Sequence, residues 1–181
     1  MKDKLLIKVT LINLFIWTIY AQLDTTLPQY LAHTSNNPAK LFSILMVINA
    51  TICVIFQPFI LRWAELTSLR LSGMVGGAMF AISFLLLYLS STTLILILAV
   101  IIMSFAELFT CPINGLLIMR VAPKHLIASY NGFYNLGLLG LSIGPTLGGI
   151  GLQYVGGPYV FLFDGLIGIT IISLYLKSIP K

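Results

Sequence analysis

Charged side chains are scarce in this chain. Only 8% of its 181 residues are charged while 59% are hydrophobic, and the mean hydropathy is +1.03. An average soluble domain carries about 25% charged residues. No water-soluble fold of this length could bury so much apolar surface, so the composition predicts an integral membrane protein whose main partner is the lipid bilayer.

Cysteine and histidine are also rare. Cys53 and Cys111 both lie inside apolar runs, which argues against a disulfide framework and against a reactive thiolate. His33 and His125 fall in polar connections, and the chain has no His-Glu pair at metal-ligand spacing and no GxSxG elbow. We therefore predict no metal site, no cofactor and no enzymatic activity.

The positive charge is dispersed rather than clustered. The formal net charge is +5, but the basic residues flank apolar runs and form no patch with interleaved aromatic residues. Nucleic-acid binding requires such a patch. The sequence therefore predicts no nucleic-acid partner.

Apolar runs dominate the chain, and six of them approach or exceed the length of about 20 residues that a helix needs to cross a bilayer. The connections between them are too short for a soluble domain, so residues 1–181 are expected to form one six-helix domain. The predicted spans are residues 5–31, 41–61, 69–89, 93–119, 127–154 and 159–176.

The basic residues predict the orientation of these spans. With a cytoplasmic N-terminus, Lys40 is the one basic residue outside, and nine are inside: Lys2, Lys4, Lys8, Arg62, Arg70, Arg120, Lys124, Lys177 and Lys181. Cytoplasmic connections are enriched in Lys and Arg. Both termini are therefore predicted to be cytoplasmic in a plasma membrane protein. The first run is too long for a typical signal-peptide core and lacks a small-residue cleavage site, so it is expected to be retained.

Three of the five acidic residues lie inside apolar spans: Asp24, Glu107 and Asp164. A carboxylate in hydrocarbon is costly, and it usually faces a protein interior or a water-filled cavity with a function. Asp164 lies near the start of the last span. It could interact with helix ends or headgroup water, or take part in transport, and the sequence does not decide between these roles.

Polar residues repeat at helical spacing in three spans. The stripe in the first span is Asn13, Trp17, Tyr20 and Asp24, and the stripe in the fourth is Ser104, Glu107, Cys111 and Asn114. Each includes an acid, so we expect both to face a water-accessible cavity. The second span carries Asn49, Cys53 and Gln57, for which hydrogen bonding between helices is favoured.

Glycines form a stripe in the fifth span, at Gly137, Gly140, Gly144 and Gly148. The run GPTLGG adds Pro145 and Gly149. Glycines on one face allow two helices to pack closely, and proline kinks a helix. A phosphate-binding loop is disfavoured because the P-loop lysine is missing. Gly73 and Gly77 in GMVGG predict a second close-packing face in the third span.

The six spans divide into two triplets whose first helices run in opposite directions and carry an acid on a polar stripe. Inverted three-plus-three repeats of this kind occur in each half of major facilitator transporters. The chain resembles one six-helix half of such a transporter, particularly the drug:proton antiporters. The resemblance is carried by AQLDTTLPQYL (21–31), FQPFILRW (56–63), FAELFTCPINGLLIMRVAPKH (105–125), SYNGFYNLG (129–137) and SIGPTLGG (142–149).

The resemblance favours the C-terminal half. The AELFTCP setting of Glu107 looks like the tenth helix of the family, and LDTTLP looks like the seventh. The connection LRWAELTSLR lacks the Gly-x-x-x-Asp-Arg-x-Gly-Arg-Arg pattern of the N-terminal half, although GPTLGG resembles the fifth-helix antiporter motif. Six helices form one wall of a central cavity. The chain is thus either a truncated or split frame, or it pairs with a second six-helix half.

The resemblance implies proton-coupled efflux of lipophilic or cationic small molecules by alternating access. Asp24 and Glu107 would couple protons, and their depths differ by roughly 10 Å at 1.5 Å per residue, which suits a relay or two sites. The substrate cavity would include Asn13, Trp17, Tyr20, Cys111 and Asn114. The alternatives are a non-transporting half or scaffold, and proton-coupled uptake of a metabolite.

Overall fold

The computed structural model describes the backbone of residues 2–178 and the side chains of residues 4–177. Within this part every regular element is helical, and six helical segments are long and apolar enough to cross a membrane. The predicted all-α, six-span membrane fold is confirmed. The charge analysis included three residues that fall outside this description: Lys181, and Lys2 and Asp3 with respect to their side chains.

The elements follow the predicted spans, with two of the spans divided. The first span consists of α1 (Lys2–Asp24) and α2 (Thr26–Thr34), and the next three are α3 (Pro38–Leu66), α4 (Leu69–Tyr88) and α5 (Thr93–Val121). The fifth begins with a 3-10 turn (Lys124–Leu126) and continues as α6 (Ile127–Tyr134), a 3-10 segment (Asn135–Leu139) and α7 (Gly140–Tyr154). The sixth is α8 (Gly157–Ser178).

A proline explains the break in the first span. Pro28 has no N–H group, so the carbonyl of Asp24, four residues earlier, loses its helical partner. The helix accordingly ends at Asp24 and restarts at Thr26, where Pro28 falls in the first turn and is tolerated. The sequence predicted one helix over residues 5–31. The structure shows that the acid of this span lies at a helix interruption.

The fifth span is interrupted more strongly than the Pro145 kink alone predicts. Residues Asn135–Leu139 form a 3-10 helix, which is wound more tightly than an α-helix. This segment packs against α1, where a Cβ atom on Gly137 would collide with the side chain of Asn13. The local tightening therefore coincides with a close approach between the first and fifth spans.

The helices pack unequally. The first span packs mainly on the fifth span and α8, α4 packs on α5 and α8, and α3 packs on α5. In the most apolar stretch of each span, 11% of the residues are buried in α3, 22% in the fifth span and 56% in the first span. The second and fifth spans therefore present most of their surface outward.

The packing places the basic ends of two spans together. Arg70, at the start of α4, donates a hydrogen bond of 2.7 Å from Nη2 to the carbonyl oxygen of Leu176, near the end of α8. This bond satisfies one of the carbonyl groups that a helix end leaves without a partner. Arg70 and Lys177 consequently lie at the same end of the bundle.

The glycine stripe of the fifth span is the surface that contacts the first span. A Cβ atom on Gly140, Gly144 or Gly148 would collide with atoms of the first span, including the backbone carbonyl oxygen of Thr18. Gly149 differs, because nothing lies within 4 Å of a Cβ atom built there. One residue along a helix turns the position by about 100° away from the contact with the first span, so the packing role of Gly149 stays a prediction.

The two glycines of the third span pack as the GMVGG run predicts. Gly73 lies against the ring of Tyr175, and Gly77 lies against Ile171 and Ile172 of α8. Both positions are buried. The third and sixth spans therefore approach each other through a glycine face, as the first and fifth spans do.

Candidate functional site

The centre of the candidate site is the carboxyl group of Glu107, which is partly buried in the middle of α5. Two side chains of α3 point at its Oε2 atom. Asn49 donates from Nδ2 at 3.2 Å, and the Cys53 thiol donates from Sγ at 3.5 Å. Because lipid offers a carboxylate no hydrogen bonds, these donors are what makes the position tolerable within a membrane span.

Asn49 also joins a second polar group to this cluster. Its Nδ2 atom donates to the hydroxyl oxygen of Ser104 at 3.1 Å, one turn before Glu107 on α5. The Ser104 hydroxyl in turn donates to the carbonyl oxygen of Val100 at 2.8 Å. One amide thus bridges α3 to two successive turns of α5, and this fixes the angular position of Glu107 relative to α3.

The first span contributes a tyrosine to the same cluster. The Tyr20 side chain lies close to the Glu107 carboxyl group and interacts electrostatically with it and with Asp24. Tyr20 packs edge-to-face against Trp17, with ring centroids 5.4 Å apart at 87°. Asp24 is exposed at the break of the span. The structure therefore brings Trp17, Tyr20, Asp24 and Glu107 together on one side of the bundle.

Two members of the cluster were not predicted as site residues. The stripe of Asn49 and Cys53 was expected to form hydrogen bonds between helices, and it does, but its partner is the acid itself. The spacing by four residues was the available signal, since it placed both donors on one face of the second span. Gln57, the third member of that stripe, is exposed.

Asn13 does not lie with this cluster. It is fully buried, and it exchanges two hydrogen bonds with Tyr134 of the fifth span. Its Nδ2 donates to the Tyr134 carbonyl oxygen at 3.3 Å, and the Tyr134 hydroxyl donates to its Oδ1 at 3.0 Å. Asn13 consequently fastens the first span to the fifth, three turns before Asp24.

Asn114 is also turned away from the open side. It is fully buried, and its Oδ1 accepts a hydrogen bond of 2.6 Å from the hydroxyl of Tyr175 in α8. Its Nδ2 has no partner among the described residues. Asn114 lies two turns after Glu107 and beyond Pro112. At this point the same face of α5 therefore contacts the last span. Cys111, between them, is partly buried beside Thr110.

Asp164 occupies a different place from the other two acids. It lies in α8 and is only 4% exposed, in a cavity whose walls come from the first, fifth and sixth spans. None of the site residues Trp17, Tyr20 or Glu107 lines that cavity. The three acids therefore form one pair on a shared side of the bundle and one separate group.

The Glu107 cluster can bind and release a proton or a cation. Its carboxyl group is held by donors on one side and remains partly accessible, while the exposed Asp24 carboxyl lies on the same side. No group of three or more His, Cys, Asp or Glu side chains suited to a metal ion occurs among the residues that the structure describes.

Comparison with known protein families agrees with the fold. Residues 6–181 match the Major Facilitator Superfamily. The chain belongs to this superfamily, and it is a multi-pass membrane protein.

Its curated relatives are longer than this chain. It is 30% identical over 158 residues to an uncharacterized MFS-type transporter of Bacillus subtilis (strain 168), YqjV, covering 86% of this chain and 38% of that protein. It is 28% identical over 145 residues to a second one from the same organism, YttB, covering 77% of this chain and 36% of that protein. The chain thus spans less than two fifths of the length of either relative.

Solved structures show the same fold. A POT family transporter in complex with a thioalcohol-conjugated peptide superposes with a TM-score of 0.81 at 21% identity, covering 97% of this chain and 40% of that one. A POT family transporter in complex with 5-aminolevulinic acid gives the same values. The six spans therefore form half of a major facilitator fold.

Proposed function

We propose that this chain is one half of a secondary transporter that exports lipophilic or cationic small molecules in exchange for protons. Glu107 and Asp24 are the proposed proton-coupling residues. Trp17, Tyr20 and Cys111 contribute to the proposed substrate surface, while Asn13 and Asn114 hold the helices behind it. The finer assignments, drug:proton antiport and the C-terminal half, belong to this proposal.

The observation that supports it best is the coordination of Glu107. Asn49 and Cys53 of the second span donate to one carboxyl group in the middle of the fourth, and Tyr20 of the first interacts with it electrostatically. Structural ion pairs do not explain this acid, because every partner is neutral. A membrane acid that is neither paired with a base nor turned into the lipid marks a site for protons or cations by default.

The mechanism follows from charge balance in an environment of low dielectric. Without substrate, burial favours a neutral carboxyl group. A lipophilic cation that enters the cavity next to Tyr20 and Trp17 favours the ionised form, and a proton is released. When the two halves rock to expose the other side, the cation leaves and a proton returns. Asp24, exposed on the same side, supplies a second carboxyl group along the route.

The proposed partner is a second six-helix half. The second and fifth spans are the least buried, and their exposed side chains include Phe56, Phe59, Phe133 and Leu136. A second half would cover these surfaces and close the open side that carries Glu107. The proposed location is the plasma membrane. Both termini are proposed to lie in the cytoplasm, because the basic residues flank the spans on that side.

The test is proton-driven transport in liposomes that contain this chain and its complementary half. Wild type should move ethidium, a fluorescent lipophilic cation, when a pH gradient is imposed. Glu107→Gln and Asp24→Asn should each abolish the coupling, because a carboxamide cannot exchange a proton. Glu65→Gln is the matched control, since Glu65 is an exposed acid at the end of α3.

Full proton-driven transport by both variants would exclude these acids from the mechanism. Absence of flux in the wild-type assembly, with the chain folded, would favour the non-transporting half or scaffold. The direction of substrate flow under one imposed pH gradient distinguishes export from uptake, because an antiporter moves substrate against the proton flow and a symporter moves it with the proton flow.

A further inference from the structure

Asp164 is the one buried acid that the proposed transport mechanism does not use. It is 4% exposed, and its Oδ2 atom has no hydrogen-bond partner among the described residues. It lies seven residues after Gly157, the first residue of α8, and so about 10 Å along the helix from its end. A buried polar atom without a partner is unfavourable, which calls for a physical explanation.

Asp164 lines a cavity of about 350 Å³ between the first, fifth and sixth spans. This volume is near the lower end of the range of about 300–1,000 Å³ for small-molecule pockets. Aliphatic side chains and one aromatic ring form most of its wall, and the polar lining residues are Thr18, Gln22 and Asp164.

The two neutral polar residues already have partners. Gln22 donates from Nε2 to the carbonyl oxygen of Gly144 at 3.1 Å, and its Oε1 accepts a hydrogen bond from Thr26. The Thr18 hydroxyl donates to the carbonyl oxygen of Leu14 at 2.8 Å. None of the polar side chains that line the cavity therefore donates to Asp164, and a molecule bound in the cavity can supply that donor.

The cavity opens on the outer surface of the bundle. Four of its lining side chains are half or more exposed: Leu147, Ile150, Val155 and Phe163. Because these side chains are exposed on this half, a ligand with an apolar body can reach the cavity from outside the bundle. The cavity is thus separate from the open side that carries Asp24 and Glu107.

We propose that this cavity binds a small organic molecule with a protonated primary amine and an apolar, single-ring body. The ammonium group offers both the positive charge and the N–H donors that Asp164 lacks, and the ring fits the apolar wall. A bare metal ion fits poorly, because Ca²⁺ takes about six to eight oxygen ligands and the cavity offers few. A quaternary ammonium has charge but no N–H donor, so it should bind less well.

The test uses para-fluorobenzylammonium as the probe, with the full chain in phosphatidylcholine nanodiscs that contain no primary amine. Fluorine NMR reports saturable binding and the dissociation constant. Asp164→Asn should weaken binding by at least about tenfold, the equivalent of 1.4 kcal/mol. These measurements are made in the Asp24→Asn, Glu107→Gln background, which removes the proposed transport site, and Glu65→Gln in the same background is the matched control that should bind the probe unchanged.

Two further comparisons keep the proposal open to refutation. Para-fluorobenzyl alcohol and para-fluorobenzyltrimethylammonium should both bind more weakly than the primary amine. Ile150→Trp, which narrows the mouth while keeping the carboxyl group, should also reduce binding, and it replaces Asp164→Asn if that variant does not fold. Equal affinity of the alcohol, unchanged affinity of Asp164→Asn, or no saturable binding by wild type would each overturn the proposal.

The same amine chemistry could come from a lipid headgroup. Replacing part of the phosphatidylcholine with phosphatidylethanolamine distinguishes the two sources. Displacement of the probe by this lipid in wild type identifies an aminolipid as the natural occupant. Unchanged probe binding in the mixed lipid identifies a soluble amine, and both results uphold the site.

Discussion

Replacing Gly144 with alanine should destabilise the chain, while replacing Gly149 should not. Both glycines lie inside α7 and share its helical backbone. At Gly144 an added Cβ atom would lie 3.1 Å from the Cβ of Ala21 and would collide with the carbonyl oxygen of Thr18. At Gly149 it would meet nothing within 4 Å. The pair therefore isolates the close contact between the first and fifth spans.

The magnitude follows from two opposing effects. Alanine stabilises a helix by roughly 0.5–1 kcal/mol relative to glycine, and this gain applies equally at both positions. Overpacking costs about 1–3 kcal/mol, and at Gly144 the obstacle is backbone, which cannot move aside as a flexible side chain can. Gly149→Ala should be neutral or slightly stabilising. The free energies of unfolding of the two variants should therefore differ by about 1–3 kcal/mol.

The assay is reversible unfolding of the chain by SDS in mixed micelles, followed by circular dichroism. Wild type and both variants are measured at the same mole fractions of SDS. Equal unfolding free energies for the two variants would refute the reasoning, because the backbone contact would then carry no cost. A loss of stability in Gly149→Ala would refute the expectation that this position is free of contacts in the isolated chain.

Two further variants test individual hydrogen bonds in the same unfolding assay. Tyr134→Phe removes the hydroxyl that donates to the buried Oδ1 of Asn13. The free energy of unfolding should fall by about 1–3 kcal/mol, the cost of an unsatisfied buried group. An unchanged unfolding midpoint would show that this hydrogen bond does not hold the first and fifth spans together. Asn49→Leu removes a hydrogen-bond donor from Glu107. A double-mutant cycle with Glu107→Leu should give a coupling energy of about 0.5–3 kcal/mol. Additive effects of the two substitutions on the unfolding free energy would contradict the contact.

The local chemistry of the chain was sufficient to predict its spans and its costly residues. Hydropathy is a property of short windows, and a bilayer imposes the same length on every helix, so six membrane spans follow without any tertiary information. The interruption at Asp24 is equally local, because Pro28 removes one backbone donor. The acids at 24, 107 and 164 could also be identified, since only their surroundings in sequence were needed.

Which helix each face meets was decided by the tertiary structure. Helical spacing shows that Asn13 shares a face with Asp24, and that Asn114 shares one with Glu107. It cannot show that Asn13 meets Tyr134, or that Asn114 meets Tyr175, because those partners lie more than 60 residues away. For the same reason helical spacing could not predict that Asn49 and Cys53 contact Glu107. It also could not predict that Gly149 lies away from the contact between the first and fifth spans. Periodicity orders residues around one helix axis, whereas contacts depend on how six axes are arranged.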